Sequence, residues 1–315
     1  MKSSAKVKKR ALSPGAFLVD ELTRRWQLYL MLVLPLAYLI IFCYVPMGGV
    51  IIAFKDYSIR GGIWGSDWVG FKHFINFFNT PDFFKLLRNT LILSLYNLVI
   101  TFPMPIILAL AVNELKSKAY KKVVQMVTYL PYFISTVVLV GTMKNIFSPR
   151  TGLINSIIAL FGGPQTDFMG NPDLFRTMYV WSGVWQGMGY SAVIYIAALA
   201  NVDSAQVEAS LMDGAGRFAR VWHVDLPAIL PTIVIQLILA VGSVMSLGYE
   251  KVFLMQNPVN TEVSEVISTF VYKRGIAGFQ YSYAAAVGLF NSVVNLVLIA
   301  LANVFAKKVG ETSLW

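Results

Sequence analysis

The sequence predicts an all-α integral membrane protein with six transmembrane helices, and three observations lead there. Hydrophobic residues make up 57% of the chain and charged residues only 13%, where an ordinary soluble domain is about a quarter charged. Six apolar runs approach the roughly 20 residues a bilayer core demands; they fall at about 28–54, 89–113, 125–147, 178–200, 229–250 and 284–306. The runs are continuous, without the alternating apolar and polar positions that mark an outer-membrane barrel.

Each element follows from its own residues. Residues 1–27 form a basic N-terminal segment, in which Phe17, Leu18, Leu22 and Trp26 recur at helical spacing between charges. That pattern suits a short helix lying in the membrane interface and equally one packed on the core of the transmembrane domain. The first apolar run begins only near Leu28 and is much longer than the apolar region of a secretory signal, so the start reads as an uncleaved anchor. Residues 28–315 form a single transmembrane domain without repeats or a soluble module. The stretch FKHFINFFNTPDFFKLLRN resembles an interfacial elbow leading into the second span, with aromatics at head-group depth; the alternative is a hydrophobic contact for a partner protein. The third run is the least regular, because Pro131 interrupts it and Lys144 sits near its end. In the fourth, Gly183 and Gly187 form a GxxxG that predicts close helix packing. Between spans five and six, Glu262, Glu265, Lys273 and Arg274 surround the apolar VISTFVY, which reads as a short outer helix that either contacts an extracellular binding partner or is a solvated loop helix.

Charge sets the orientation. An even number of spans places both termini on one side, and that side carries 15 of the 26 Lys and Arg residues. The dense clusters Lys6–Arg10 and Lys116–Lys122 belong to it, which makes it cytoplasmic by the positive-inside rule. Basic residues gathered at membrane edges also account for the net charge of +10 without a nucleic-acid partner. Cys43 stands alone, so no intrachain disulfide is expected, and it reads as a buried small hydrophobe. His73 and His223 fall on opposite sides of the membrane, which argues against a shared metal. No nucleophile–base set suggests catalysis, and no GxxxxGK[ST] loop would let this chain hold ATP.

The most informative stretch is polar and cytoplasmic, AQVEASLMDGAGRFARVWHVDLPAILP, within the loop 201–228. Asp203 and Gln206 form a capping pair for a helix from about Ser204 to Met212. Gly214 and Gly216 then allow a left-handed turn. Phe218, Val221 and Trp222 open a second apolar-faced helix, with Pro227 and Pro231 at the start of the fifth span. Helix, glycine break and helix make a compact knob.

The spacing of Glu208, Ala209 and Ser210, then Gly214 three residues on, then Val224, Asp225, Leu226 and Pro227 resembles a known motif. It is the Glu-Ala-Ala, three residues, Gly, nine residues, Ile-any-Leu-Pro pattern of permease subunits of bacterial binding-protein-dependent ABC importers. Ser210 replaces the second Ala and Val224 replaces Ile, both conservative in size. NTLILSLYNLVITFPMPIILALAVNELKSKAYKKVVQMVTYLP, VISTFVYKRG, YAAAVGLFNSVVN and the terminal ETSLW extend the resemblance to permeases for oligosaccharides, including uronate-containing ones. The resemblance implies the type I importer permease fold in the bacterial cytoplasmic membrane. It implies a heterodimer with a homologous second permease, an ATP-binding subunit dimer that holds ATP and Mg, and an extracellular sugar-binding protein. The residues it implies for coupling to the ATPase are Glu208, Ala209, Ser210, Asp213, Gly214, Ala215, Leu226 and Pro227.

Sugars are held by amides, hydroxyls and aromatic faces, and polar groups within spans face a cavity or another helix. Gln186, Tyr190, Gln236 and Asn291 are the expected path residues, with interhelical hydrogen bonding as the competing role for each. Glu250 beside Lys251 reads as a local ion pair or a contact for the binding protein. The alternative function is a secondary transporter or channel. It would require intramembrane charges or inverted repeats, and neither is evident in the sequence.

Overall fold

The computed structural model describes residues 23–310. The expected N-terminal interfacial helix over 14–26 and the terminal ETSLW fall largely or wholly outside that range.

The first helix, α1 (Trp26–Phe54), is the most apolar and buries none of its hydrophobic window within the chain. Pro35 lies inside it, and a wider π-type turn follows over Leu39–Tyr44. A proline removes one helical hydrogen bond and crowds the preceding turn, which favours such irregularity. Cys43 is exposed on this helix rather than buried. Beyond α1, β1 (Lys55–Asp56) pairs antiparallel with β2 (Asp67–Trp68), a two-residue ladder in an otherwise helical protein.

The elbow is α2 (Lys72–Phe78), which leads into the long helix α3 (Phe83–Asn113). Its aromatics divide. Phe77 is buried against Phe83 and Phe290, while Phe71 and Phe84 point outward. The third run breaks where Pro131 lies: α4 (Lys118–Phe133) and α5 (Thr136–Ile146) meet at 98°. Pro131 cannot supply a backbone donor, and Ser135 caps the new helix by accepting from the Val138 amide. On the far side of α5 a short α6 (Leu153–Leu160) follows.

At the centre stands α7 (Pro172–Leu199), 28 residues long. It buries Phe175, Tyr179, Val180 and Val184 toward one end and Ala192, Tyr195 and Leu199 toward the other. Being wrapped by neighbours, it carries more polar residues than a lipid-facing helix. It is therefore absent from the four helices that qualify as spans by length and apolarity alone, or five with the bent pair. Helix α7 makes closest contact at Gly189, where an added Cβ would sit 2.0 Å from the Thr128 carbonyl oxygen of α4. The expected GxxxG pair does something else: Gly187 faces open space and Gly183 faces a lysine ammonium.

The loop helix α8 (Ser204–Met212) precedes α9 (Arg217–Gly242). The chain then leaves helical geometry over 243–248 before α10 (Tyr249–Met255), α11 (Ile267–Val271) and the last helix α12 (Tyr281–Gly310). VISTFVY is no solvated loop helix. Val266, Ile267 and Phe270 are buried, the last two against Phe77, Leu86 and Val287. Glu265 nearby pairs with Lys273 at 2.5 Å.

Candidate functional site

Two regions draw the expected residues together. The first is a cavity of about 790 Å³ walled by α3, α7 and α9. Asn97, Thr101, Tyr190, Ser191, Gln236 and Ser243 supply its polar lining. Tyr190 is half exposed there, with one ring face stacked on Tyr132 at 3.9 Å and 7°. A smaller cavity of about 280 Å³ shares Asn97, Thr101, Tyr179 and Ser191 with the first and adds Gly183 and Lys251.

Tyr190 and Gln236 thus lie where a polar cargo could meet them. Gln186 and Asn291 do not line either cavity. Both are occupied where a helix breaks. The Gln186 amide donates to the Ile134 carbonyl, at the bend between α4 and α5, at 2.7 Å. Asn291 donates to the Met245 carbonyl at 3.1 Å, and Asn295 accepts from the Met245 amide at 3.0 Å, in the non-helical stretch after α9. Backbone freed from a helix at membrane depth must find partners inside the protein. The expected Glu250–Lys251 pair is not formed. Lys251 turns inward and donates to the Tyr179 carbonyl at 2.9 Å, while Glu250 is exposed.

The second region is the loop between α7 and α9. Helix α8 has the expected bounds, and the Asp203 carboxylate accepts from the Ala205 amide at 2.9 Å. Gly214 has φ +78°, a left-handed conformation that a side chain resists. Gly216 is on the ordinary side at −69°, so only one of the two glycines is needed for the turn. The Ala215 amide closes the turn onto the Ser210 carbonyl at 2.9 Å. Glu208, Ala209, Asp213, Gly214 and Pro227 are exposed, and Ser210, Ala215 and Leu226 are half-buried. The prolines do not begin the next helix as expected. Helix α9 already starts at Arg217, and a wider turn over Val221–Asp225 lets it run through Pro227.

Apolar spans thus surround a polar-lined cavity, and an exposed helical loop projects between two of them. Residues 84–311 match the family described as "Binding-protein-dependent transport system inner membrane component". The chain belongs to that family.

The permease is therefore a multi-pass inner-membrane protein. It is 48% identical over 291 residues to Protein LplB of Bacillus subtilis (strain 168), covering 92% of this chain and 91% of that one. Another relative from the same strain is the polygalacturonan/rhamnogalacturonan transport system permease protein YteP. It is 45% identical over 298 residues, with 95% and 93% covered. Among solved structures, the permease matches a chain of a bacterial ABC transporter involved in the import of the acidic polysaccharide alginate. The TM-score is 0.85 at 37% identity, covering 93% of this chain and 99% of that one.

Sequence reasoning passed over the groups that anchor the permease's loop. Arg220 pairs with Glu114 at the end of α3 and stands 3.8 Å from the buried carboxylate of Asp225. Beside it, Met212 and Phe218 project almost fully exposed, an unusual outlay for large apolar groups outside lipid. The exposed pair had a signal, since Phe218 follows a glycine turn in a polar loop. Glu114 and Arg220 are 106 residues apart and had none.

Proposed function

We propose that this permease is the translocation subunit of an ATP-driven importer of oligosaccharides, coupled to its ATPase through the 205–227 loop. The observation that carries the reading is the 790 Å³ cavity with Gln236, Tyr190 and a row of hydroxyls and amides along its wall. Such a wall exchanges hydrogen bonds with sugar hydroxyls and offers aromatic edges for stacking, without fixing the cargo too tightly to leave. The names of YteP and of the alginate transporter support a polysaccharide-derived cargo.

The remaining assembly follows the family. A homologous second permease would complete the path, and an ATP-binding subunit dimer would hold ATP and Mg. An extracellular sugar-binding protein would deliver cargo, as a solved alginate transporter in complex with an alginate pentasaccharide-bound periplasmic protein suggests. The termini and the loop would then be cytoplasmic. There Met212 and Phe218 would enter a cleft of the ATPase, with Glu208 meeting a cationic group. Closing of that cleft would push α8, and Arg220 would carry the displacement to α3 through Glu114.

The test is ATP hydrolysis and cargo uptake by the assembled transporter in liposomes, comparing wild type with Glu208→Ala and Gly214→Trp across a panel of oligosaccharides. Loss of cargo-stimulated hydrolysis in complexes that still assemble is expected. Wild-type hydrolysis and transport in both variants would reduce the loop to a connector.

A further inference from the structure

The cavity described above has neutral polar walls except at one point. Lys251, on α10, reaches back to α7 and stops at the smaller, confluent cavity. Its ammonium donates to the Tyr179 carbonyl at 2.9 Å and lies 4.7 Å from the centre of the Tyr179 ring. An ammonium has three donors, and the other two have no protein partner among the described residues. None of the ion pairs among those residues involves it.

The surroundings are built to admit this group. Gly183 faces it across α7, and a Cβ added there would lie 3.2 Å from Nζ. A side chain at that position would crowd the ammonium and oblige it to shift. Helix α10 lies beyond the end of α9, and burial there pushes the ammonium down to about 8. A desolvated cation with free donors is a costly thing to keep without an anion. The Tyr179 carbonyl does not depend on the ammonium for a partner, since it also accepts from the Ser182 hydroxyl at 3.0 Å.

A second cation stands on α7 itself. Arg176 sits one turn before Tyr179, a rise of about 4.5 Å, on the side of α7 away from the coupling loop. Its Nη2 is 3.3 Å from Asn89 Oδ1, its Nε is buried without a partner, and it too forms no ion pair among the described residues. Arg88 stands close enough for the two charges to repel. Among the described residues none of Arg88, Arg176 and Lys251 is paired with a carboxylate.

We propose that Lys251 is the residue that reads cargo charge, binding the carboxylate of an acidic oligosaccharide as it enters the cavity, with Gly183 keeping the space for it. The inference rests on the cavity being the translocation path. A carboxylate would accept the two free donors and would replace the solvation that burial removed. The hydroxyls of a neutral sugar would accept from the same donors but would bring no charge to balance the ammonium.

The experiment uses the complete transporter in liposomes, with tetragalacturonate and its methyl ester each loaded on the binding protein to equal occupancy. The ester keeps shape and removes charge. Wild type should carry the acid at least tenfold faster than the ester. Lys251→Met should lose that preference by slowing the acid alone, Lys251→Arg should retain most of it, and Gly183→Val should behave like Lys251→Met. Assembly of each variant is checked by co-purification of all subunits. Gln236→Trp separates the two readings, because filling the main cavity should stop both cargoes. If Gln236→Trp carries both normally, the path is elsewhere and the proposal falls with it. If Gln236→Trp blocks transport but Lys251→Met slows acid and ester alike, or neither, the path stands and the role of Lys251 is refuted. A wild type that carries the acid no better than the ester refutes it as well.

Discussion

Arg220 offers a sharp test of how the loop between α7 and α9 is held. Its side chain is 17% exposed, Glu114 is 19% exposed and Asp225 only 3%. At 3.8 Å and an effective dielectric of about 20, a charge pair interacts by about 4 kcal/mol before desolvation is counted. Removing one member of a buried pair costs about 3–5 kcal/mol, because the survivor is stranded. In Arg220→Met the Glu114 carboxylate lies at a helix end and can rehydrate, whereas Asp225 cannot. The expected loss is therefore about 3 kcal/mol, at the low end. If the stranded carboxylate is the cause, adding Asp225→Asn should recover about 2 kcal/mol of it. The assay is denaturant unfolding of the purified complex, read as a double-mutant cycle. Stability of Arg220→Met within about 0.5 kcal/mol of wild type, or no recovery from Asp225→Asn, would refute the reasoning.

Further expectations follow from individual contacts. Gly189→Ala places a methyl 2.0 Å from the Thr128 carbonyl oxygen and should destabilise by about 1–3 kcal/mol. Gly187→Ala, facing open space, should stay within about 0.5 kcal/mol, and equal effects in unfolding experiments would contradict the packing described. Asn291→Ala should cost about 1–2 kcal/mol by releasing the Met245 carbonyl, yet leave the apparent affinity for cargo unchanged. Gln236→Ala should do the reverse, and uptake kinetics with unfolding midpoints distinguish them. In the hairpin, the hydrogen bond from Lys72 holds the Asp56 carboxyl below its ordinary range. A depressed carboxyl contributes stability above its unfolded value and loses it as pH falls through the folded one. Amide protection in 55–68, taken relative to the intrinsic exchange rate at each pH, should fall below about pH 4, and Lys72→Met should flatten that dependence.

Local features of the loop were readable because local residues make them. Asp203 caps α8 through an amide two residues away, and Gly214 takes its positive φ within a single turn. Pro131 foretold a break in the third run because a missing donor acts on the chain beside it, although the 98° angle depends on what α5 packs against. The path residues were only half legible for a related reason. A polar side chain in an apolar run announces that it has a partner, but the run does not say whether that partner is cargo or loose backbone. Gln186 and Asn291 hold carbonyls released by breaks far along the chain, at Ile134 and Met245. Lys251 misled because its neighbour in sequence is an acid, while its neighbour in space is the carbonyl of Tyr179.

The first helix carries a consequence of another kind. At 29 residues and 1.5 Å each, it is about 43 Å long, well beyond the roughly 30 Å of a hydrocarbon core. None of its apolar window is buried within its own chain, so intramolecular packing holds only its last turns, Gly48–Phe54, against α12 and leaves the rest free to incline. Its tilt is left to the acyl chains and neighbouring subunits around it, and a mismatch of length costs a fraction of a kcal/mol per Å. Bilayer thickness thereby becomes a mechanical input to this protein. Lipids of different chain length should reset the angle at which α1 delivers the chain to the hairpin on the far side.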